Sequence, residues 1–132
     1  NKVVKRDTVF FNKDEKYHCY VQVNPTTYKV AKRSCNEDGV EVDNVYYDNI
    51  VNLNVYRGAS KVYSSDMRKE VFKNEVPSQF LRQAVFSDMT FDKADSEGMH
   101  FFAVLAIPET SISYYVETIV TYNGKVFYRI KK

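Results

Sequence analysis

The chain has 132 residues, 44% of them hydrophobic and 27% charged, with a net charge of +2 at pH 7. That composition fits a single domain over 1–132, large enough to bury its own core, and excludes a disordered chain. No apolar run approaches the ~20 residues of a membrane-spanning helix, and a positive charge this small and scattered excludes a basic stripe for nucleic acid.

The apolar residues are unevenly chosen. Val occurs 19 times and Ile 5, against Leu 3 and Ala 6, and Tyr 11 with Phe 9 makes the chain 15% aromatic. β-branched and aromatic side chains suit a pleated, half-buried surface and lose rotamer freedom in a helix. The bias predicts a mainly β fold.

Residues 3–11 read as a strand ending at Asn12-Lys13-Asp14-Glu15. Residues 16–23 alternate, with Tyr17, Cys19, Val21 and Val23 on one face. Asn24-Pro25-Thr26-Thr27 reads as a turn, because proline presets φ and asparagine caps a turn with its side chain. Residues 28–35 then return, and Asn36-Glu37-Asp38-Gly39 closes a second hairpin. Cys19 and Cys35 fall on consecutive strands. A turn centred near Thr27 sets them opposite each other, within disulfide range. A turn centred between Pro25 and Thr26 sets Cys19 opposite Lys32 and leaves two free thiols.

Residues 40–56 form a long β segment. Asn49, Val51, Leu53 and Val55 share one face; Ile50, Asn52, Asn54 and Tyr56 share the other, which its asparagines mark as wet. Gly58-Ala59-Ser60 turns the chain and residues 61–67 return. A short helical turn fits Asp66–Phe72. The main helix signal follows Pro77. Ser78 is the expected N-cap, and Phe80, Leu81, Ala84 and Val85 make one apolar face. The longest helix should include Phe80–Val85.

Strand character then resumes over 88–94, and Asp95-Ser96-Glu97-Gly98 turns. Residues 99–107 are almost continuously apolar and stop at Pro108, the pattern of a strand buried on both faces. Finally, 113–122 and 125–131 flank Asn123-Gly124, a strong hairpin signal. A two-residue turn there pairs Tyr122 with Lys125, Val120 with Phe127, and Ile119 with Tyr128. In that register Val116, Val120, Tyr122 and Phe127 share a face that is either core or an apolar surface for a partner. The sum is an antiparallel β-sandwich-like domain of eight to nine strands with one short inserted helix. The alternative is an α+β domain with one antiparallel sheet packed on the helix.

Chemistry-bearing motifs are absent. His18 and His100 are the only histidines. His18 precedes Cys19, but neighbouring strand residues point to opposite faces, which rules out a Cys-His dyad. His100 sits in the most apolar strand and reads as structural. No C-x-x-C or H-x-x-x-H spacing offers a zinc site. A calcium loop around Gly39 or Gly98 would place Val45 or Val104 at its terminal carboxylate position. Four dispersed glycines make no phosphate loop, and no G-x-S-x-G elbow exists. The reading therefore assigns no catalytic residue, no cofactor and no metal ligand.

The second half carries a pattern: Pro77-Ser78-Gln79-Phe80-Leu81, then Ser87-Asp88-Met89-Thr90-Phe91, then Phe101 to Ile107-Pro108, then Tyr114 to Tyr128 around Asn123-Gly124. Over about residues 45–130 it resembles an uncharacterised family of Bacteroides-type cell-envelope lipoproteins of unknown function. The resemblance implies export, a periplasmic or outer-membrane-anchored location, and membrane attachment only through a lipid anchor upstream of Asn1. It implies no activity. The expected function is a non-catalytic envelope module that binds a protein or another macromolecule. Two rivals are a hydrolase whose site assembles from dispersed acids and histidine, and a structural envelope component.

Overall fold

Alternation of apolar and polar side chains builds eight strands in two sheets among the described residues. The computed structural model describes residues 2–37 and 40–130, and the side chains of these except for 31–43. The first sheet is an antiparallel meander of β1 (Val4–Asn12), β2 (Glu15–Glu37), β3 (Val40–Arg57) and β4 (Ser60–Met67), in that order. A 3₁₀ turn (Lys69–Phe72) and helix α1 (Ser78–Gln83) lead into the second meander. Its order is β5 (Val85–Ala94), β6 (Met99–Ala106), β7 (Ser113–Val120) and β8 (Val126–Ile130). The sandwich-like fold with an inserted helix agrees with the expectation from composition.

The two sheets bury their inner faces against each other. Tyr17, Cys19, Val21 and Val23 of β2 and Val51, Leu53 and Val55 of β3 meet Phe86, Met89, Phe101, Ala103 and Leu105 of the second sheet in one core. Phe10 stacks on Tyr17 and on Phe91, with ring centroids 5.1 and 5.8 Å away, and so ties the first strand across the interface. At the edge Arg6 makes a two-pronged contact with Asp88, Nε to Oδ1 at 3.1 Å and Nη2 to Oδ2 at 2.6 Å. Phe72, Phe80 and Leu81 are buried, so the helical segment plugs one end of the core.

Four expectations need correction. Asn24-Pro25-Thr26-Thr27 does not reverse the chain. β2 runs through it, pairing Pro25 with Asn49 and Lys29 with Tyr47, so three residues bulge opposite Asp48 alone. The Thr26 hydroxyl donates to the Asp48 carbonyl at 2.7 Å and accepts the Tyr28 N–H at 3.1 Å. The turn-forming side chains thus stabilise a bulge, which bends a strand without ending it.

The same continuity removes the register that a Cys19–Cys35 disulfide requires. Cys19 lies opposite Val55 and Cys35 opposite Val42, on one strand. Cys19 is a buried free thiol; the Cys35 side chain lies outside the described residues.

The helix is shorter than its apolar stripe. Pro77, not Ser78, is the N-cap, its carbonyl accepting the Leu81 N–H at 3.0 Å. Ala84 is already extended, with φ −88° and ψ 151°, and Val85 opens β5.

The final hairpin is offset by one residue. Val120 pairs with Val126 and Ile119 with Phe127, across a loop of Tyr122, Asn123 and Gly124. Gly124 N–H bonds the Thr121 carbonyl at 3.0 Å and takes φ +87°, while the Thr121 hydroxyl accepts the Lys125 N–H at 2.9 Å. This is a three-residue loop with glycine in the left-handed position, the next most common solution after the two-residue turn. A one-residue slip exchanges the faces of a strand. Val116 and Val120 are therefore fully buried in the core, while Phe127 lies on the other face, 38% exposed. Tyr122 is half-buried, edge-on to Tyr17, with its hydroxyl donating to the Asp95 carbonyl at 2.7 Å. The four residues make no common surface.

Candidate functional site

The bulge in β2 shapes a cleft. By displacing residues 26–28 it opens a concave space between the long β2–β3 hairpin and the helical segment. The cleft has a volume of about 450 Å³. Leu81, Val30 and the Tyr28 ring supply apolar wall. Arg68 lies over that ring, Cζ 4.7 Å from its centroid, and donates from Nη2 to the Tyr28 hydroxyl at 3.3 Å.

Asp48 and Lys69 form its inner end, and both are buried. Asp48 Oδ1 accepts the N–H of Asn49 at 2.9 Å and of Phe86 at 2.8 Å. Burial pushes this carboxyl above its ordinary range, against the opposing pull of those two N–H groups and of Lys69. Lys69 Nζ donates to the Ala84 carbonyl at 2.9 Å and the Arg82 carbonyl at 3.4 Å. It thereby satisfies carbonyls at the C-terminal end of α1, where a cation is favoured.

Lys29, Arg68, Lys73 and Arg82 surround the opening, with Glu70 as the one acidic side chain among them. Adding Lys69 and Asp48, the lining holds five basic and two acidic side chains, an excess of three positive charges. The whole chain carries +2. Cations scattered along the sequence are therefore gathered at this cleft by the fold, and the rest of the molecule is slightly acidic.

A second cluster lies on the outer face of the other sheet. His100, almost wholly buried, directs Nδ1 to Glu117 Oε2 at 2.6 Å and Nε2 to Asp95 Oδ1 at 2.8 Å. Arg129 donates to Glu117 at 2.9 Å and grips Glu97 at 2.8 and 3.0 Å. The hydrogen bond from His100 holds Asp95 below the ordinary carboxylate range. Burial pushes Glu117 up, but hydrogen bonds from Arg129 and His100 outweigh it and bring it below that range. Asp95, Glu97 and His100 have ligand atoms within 4.8 Å of one another, the grouping a metal ion would need. The same atoms are already matched to one another and to Arg129, so the cluster reads as a closed ionic network that pins the 95–98 turn onto the sheet. His100 is buried, and both of its ring nitrogens are engaged by carboxylates.

His18 lies on the outer face of the first sheet, stacked on Tyr20 at 4.0 Å, with Nδ1 3.0 Å from the Tyr20 hydroxyl. Cys19 faces the core, where burial pushes its thiol up to about 12. The two do not meet.

The cleft was not anticipated from the sequence. Its cations come from four separate stretches of chain, and its bulge carries the residues of a turn. Lys69 stands in the charged run Arg68-Lys69-Glu70, which gives no local sign of its burial.

No curated protein matches the chain. A family model, described as a domain of unknown function (DUF4738), matches residues 1–127. That match takes in the cleft, strands β1 to β7 and the first residues of β8, with Arg129 of the ionic network beyond it, and the chain belongs to this family.

Proposed function

We propose that this is a non-catalytic binding domain of the cell envelope, and that it takes its ligand in the cleft between the β2–β3 hairpin and the helical segment. One observation carries the reading: a concave space of about 450 Å³ with apolar wall and converging polar groups. Such a space is the usual form of a ligand site. The buried groups within it are already satisfied by backbone partners, as structural groups are. Asp48 accepts two N–H groups and Lys69 donates to two carbonyls. Neither is poised beside a nucleophile, as acid–base catalysis requires. The envelope location, the export it requires and a lipid anchor rest on the sequence resemblance over about residues 45–130.

The test has two arms. The full-length protein, fractionated from its host, should be found with the envelope; recovery in the cytosol overturns the location. The chain screened against a broad hydrolase substrate panel should show no turnover. Turnover abolished by Asp48→Asn or His100→Ala, with the melting temperature retained, would establish the hydrolase alternative instead.

A further inference from the structure

The cleft's charge narrows its ligand. Lys29 comes from β2, Arg68 from the end of β4, Lys73 from the residue after the 3₁₀ turn, and Arg82 from α1. Among the described residues, Lys29, Lys73 and Arg82 have no carboxylate partner within ion-pair distance. Arg68 is held by Tyr28 through its ring and hydroxyl, which leaves its positive charge uncompensated. Unpaired cations elsewhere on a protein surface are dispersed and solvated. Here they converge on one concave space, where low-dielectric walls focus their field. An anion entering would make charge-assisted hydrogen bonds without breaking an existing ion pair. The cations stand on separate elements, so a ligand with one charged group would leave most of them unmatched.

Resting on the cleft as the binding site, we infer that its ligand is a small soluble polyanion bearing two or more phosphate, sulfate or carboxylate groups. Lys29, Arg68, Lys73 and Arg82 bind the anionic groups, and the Tyr28 ring with Leu81 packs against the carbon framework. Glu70 limits affinity by like-charge repulsion. Lys69 and Asp48 stay in their structural contacts and shape the inner end.

The experiment is an NMR titration of the whole chain with tripolyphosphate at low ionic strength. Saturable shifts should concentrate at Lys29, Arg68, Lys73 and Arg82 and weaken as salt is added. Lys73→Gln combined with Arg82→Gln, both exposed and unpaired, should weaken binding about tenfold or more, and Glu70→Gln should strengthen it. A neutral oligosaccharide such as maltotriose provides the contrast. Saturable shifts in the cleft with maltotriose and none with tripolyphosphate overturn the polyanion but leave the cleft as a binding site. Shifts scattered over other lysines and arginines, or no saturation by about 10 mM, overturn both. Equal binding by the double variant overturns the assigned residues and with them the proposal.

Discussion

The Asp48 carboxylate of the first sheet accepts the Phe86 N–H of the second at 2.8 Å, and its neighbour Asn49 donates from Nδ2 to the Phe86 carbonyl at the same distance. Two side chains of β3 thus replace the strand partner that Phe86 lacks on that edge. The bulge opposite Asp48 permits this. Asp48→Ala would leave the buried N–H groups of Phe86 and Asn49 without an acceptor, and should cost about 3 kcal/mol in urea unfolding. Asp48→Asn keeps an acceptor oxygen and should cost much less.

The same carboxyl gives a pH signature. Its raised native pKa means that the folded state holds the proton more tightly than the unfolded chain. The resulting stability is fully present below the ordinary value of 3.8 and is lost as pH rises through the raised one. The wild type minus Asp48→Asn stability difference should therefore fall as pH increases from about 4. A flat difference would show that Asp48 titrates normally.

Asp95 and Glu117 have the opposite sign. Their lowered native values stabilise the fold above 4.5 and withdraw that support as pH falls through them. Glu117→Ala removes the buried partner of His100 Nδ1 and one of the two carboxylates that hold Arg129. It should cost about 3 kcal/mol at neutral pH and reduce the steepness of acid unfolding. Combined with Arg129→Ala, the loss should be clearly less than the sum of the single changes, since both belong to one network.

Gly98 and Gly58 separate close approach from open space. A Cβ on Gly98, at φ +145°, would lie 2.3 Å from the Val120 carbonyl oxygen. On Gly58, at φ +56°, it would meet nothing within 4 Å. Gly98→Ala should cost about 2 kcal/mol or more, and Gly58→Ala about 1. Equal melting temperatures for the two variants would contradict this geometry. Gly124→Val should likewise destabilise by about 1 kcal/mol or more, because a β-branched residue resists a positive φ.

Cys19 should resist thiol reagents. Burial raises its thiol to about 12, so almost no thiolate exists at pH 8. Peptide mapping after iodoacetamide treatment should find Cys19 modified only under unfolding conditions. Labelling at the rate of a free thiol in the native state would show that the core opens readily.

Strand positions and faces were legible because alternation over β2 and β3 is regular: Cys19, Val21, Leu53 and Val55 are buried as their parity indicated. What failed was geometry that the same residues can realise in two ways. Pro25 with its flanking polar residues suits a reversal or a bulge, and only pairing with Asn49 and Tyr47 selects the bulge. Asn123-Gly124 fits a two-residue turn, but the Thr121 hydroxyl and the Gly124 N–H stabilise a three-residue loop. The cleft had no local signature, since Lys29 and Arg82 become neighbours of one space only after the sheets have packed.

Each sheet is drawn from one half of the chain, and among the described residues no strand of one half is hydrogen-bonded into the sheet of the other. Ladder pairing is therefore between sequence neighbours, and each half can zip up by successive hairpins before the halves meet. Such topology lowers the loop-closure entropy that slows most β proteins. The late step is docking of two preformed layers, with Phe10, Arg6 and Asp48 as the latches. A chain severed between Phe72 and Ser78 would thus cut no sheet, and its two pieces should reassemble on mixing.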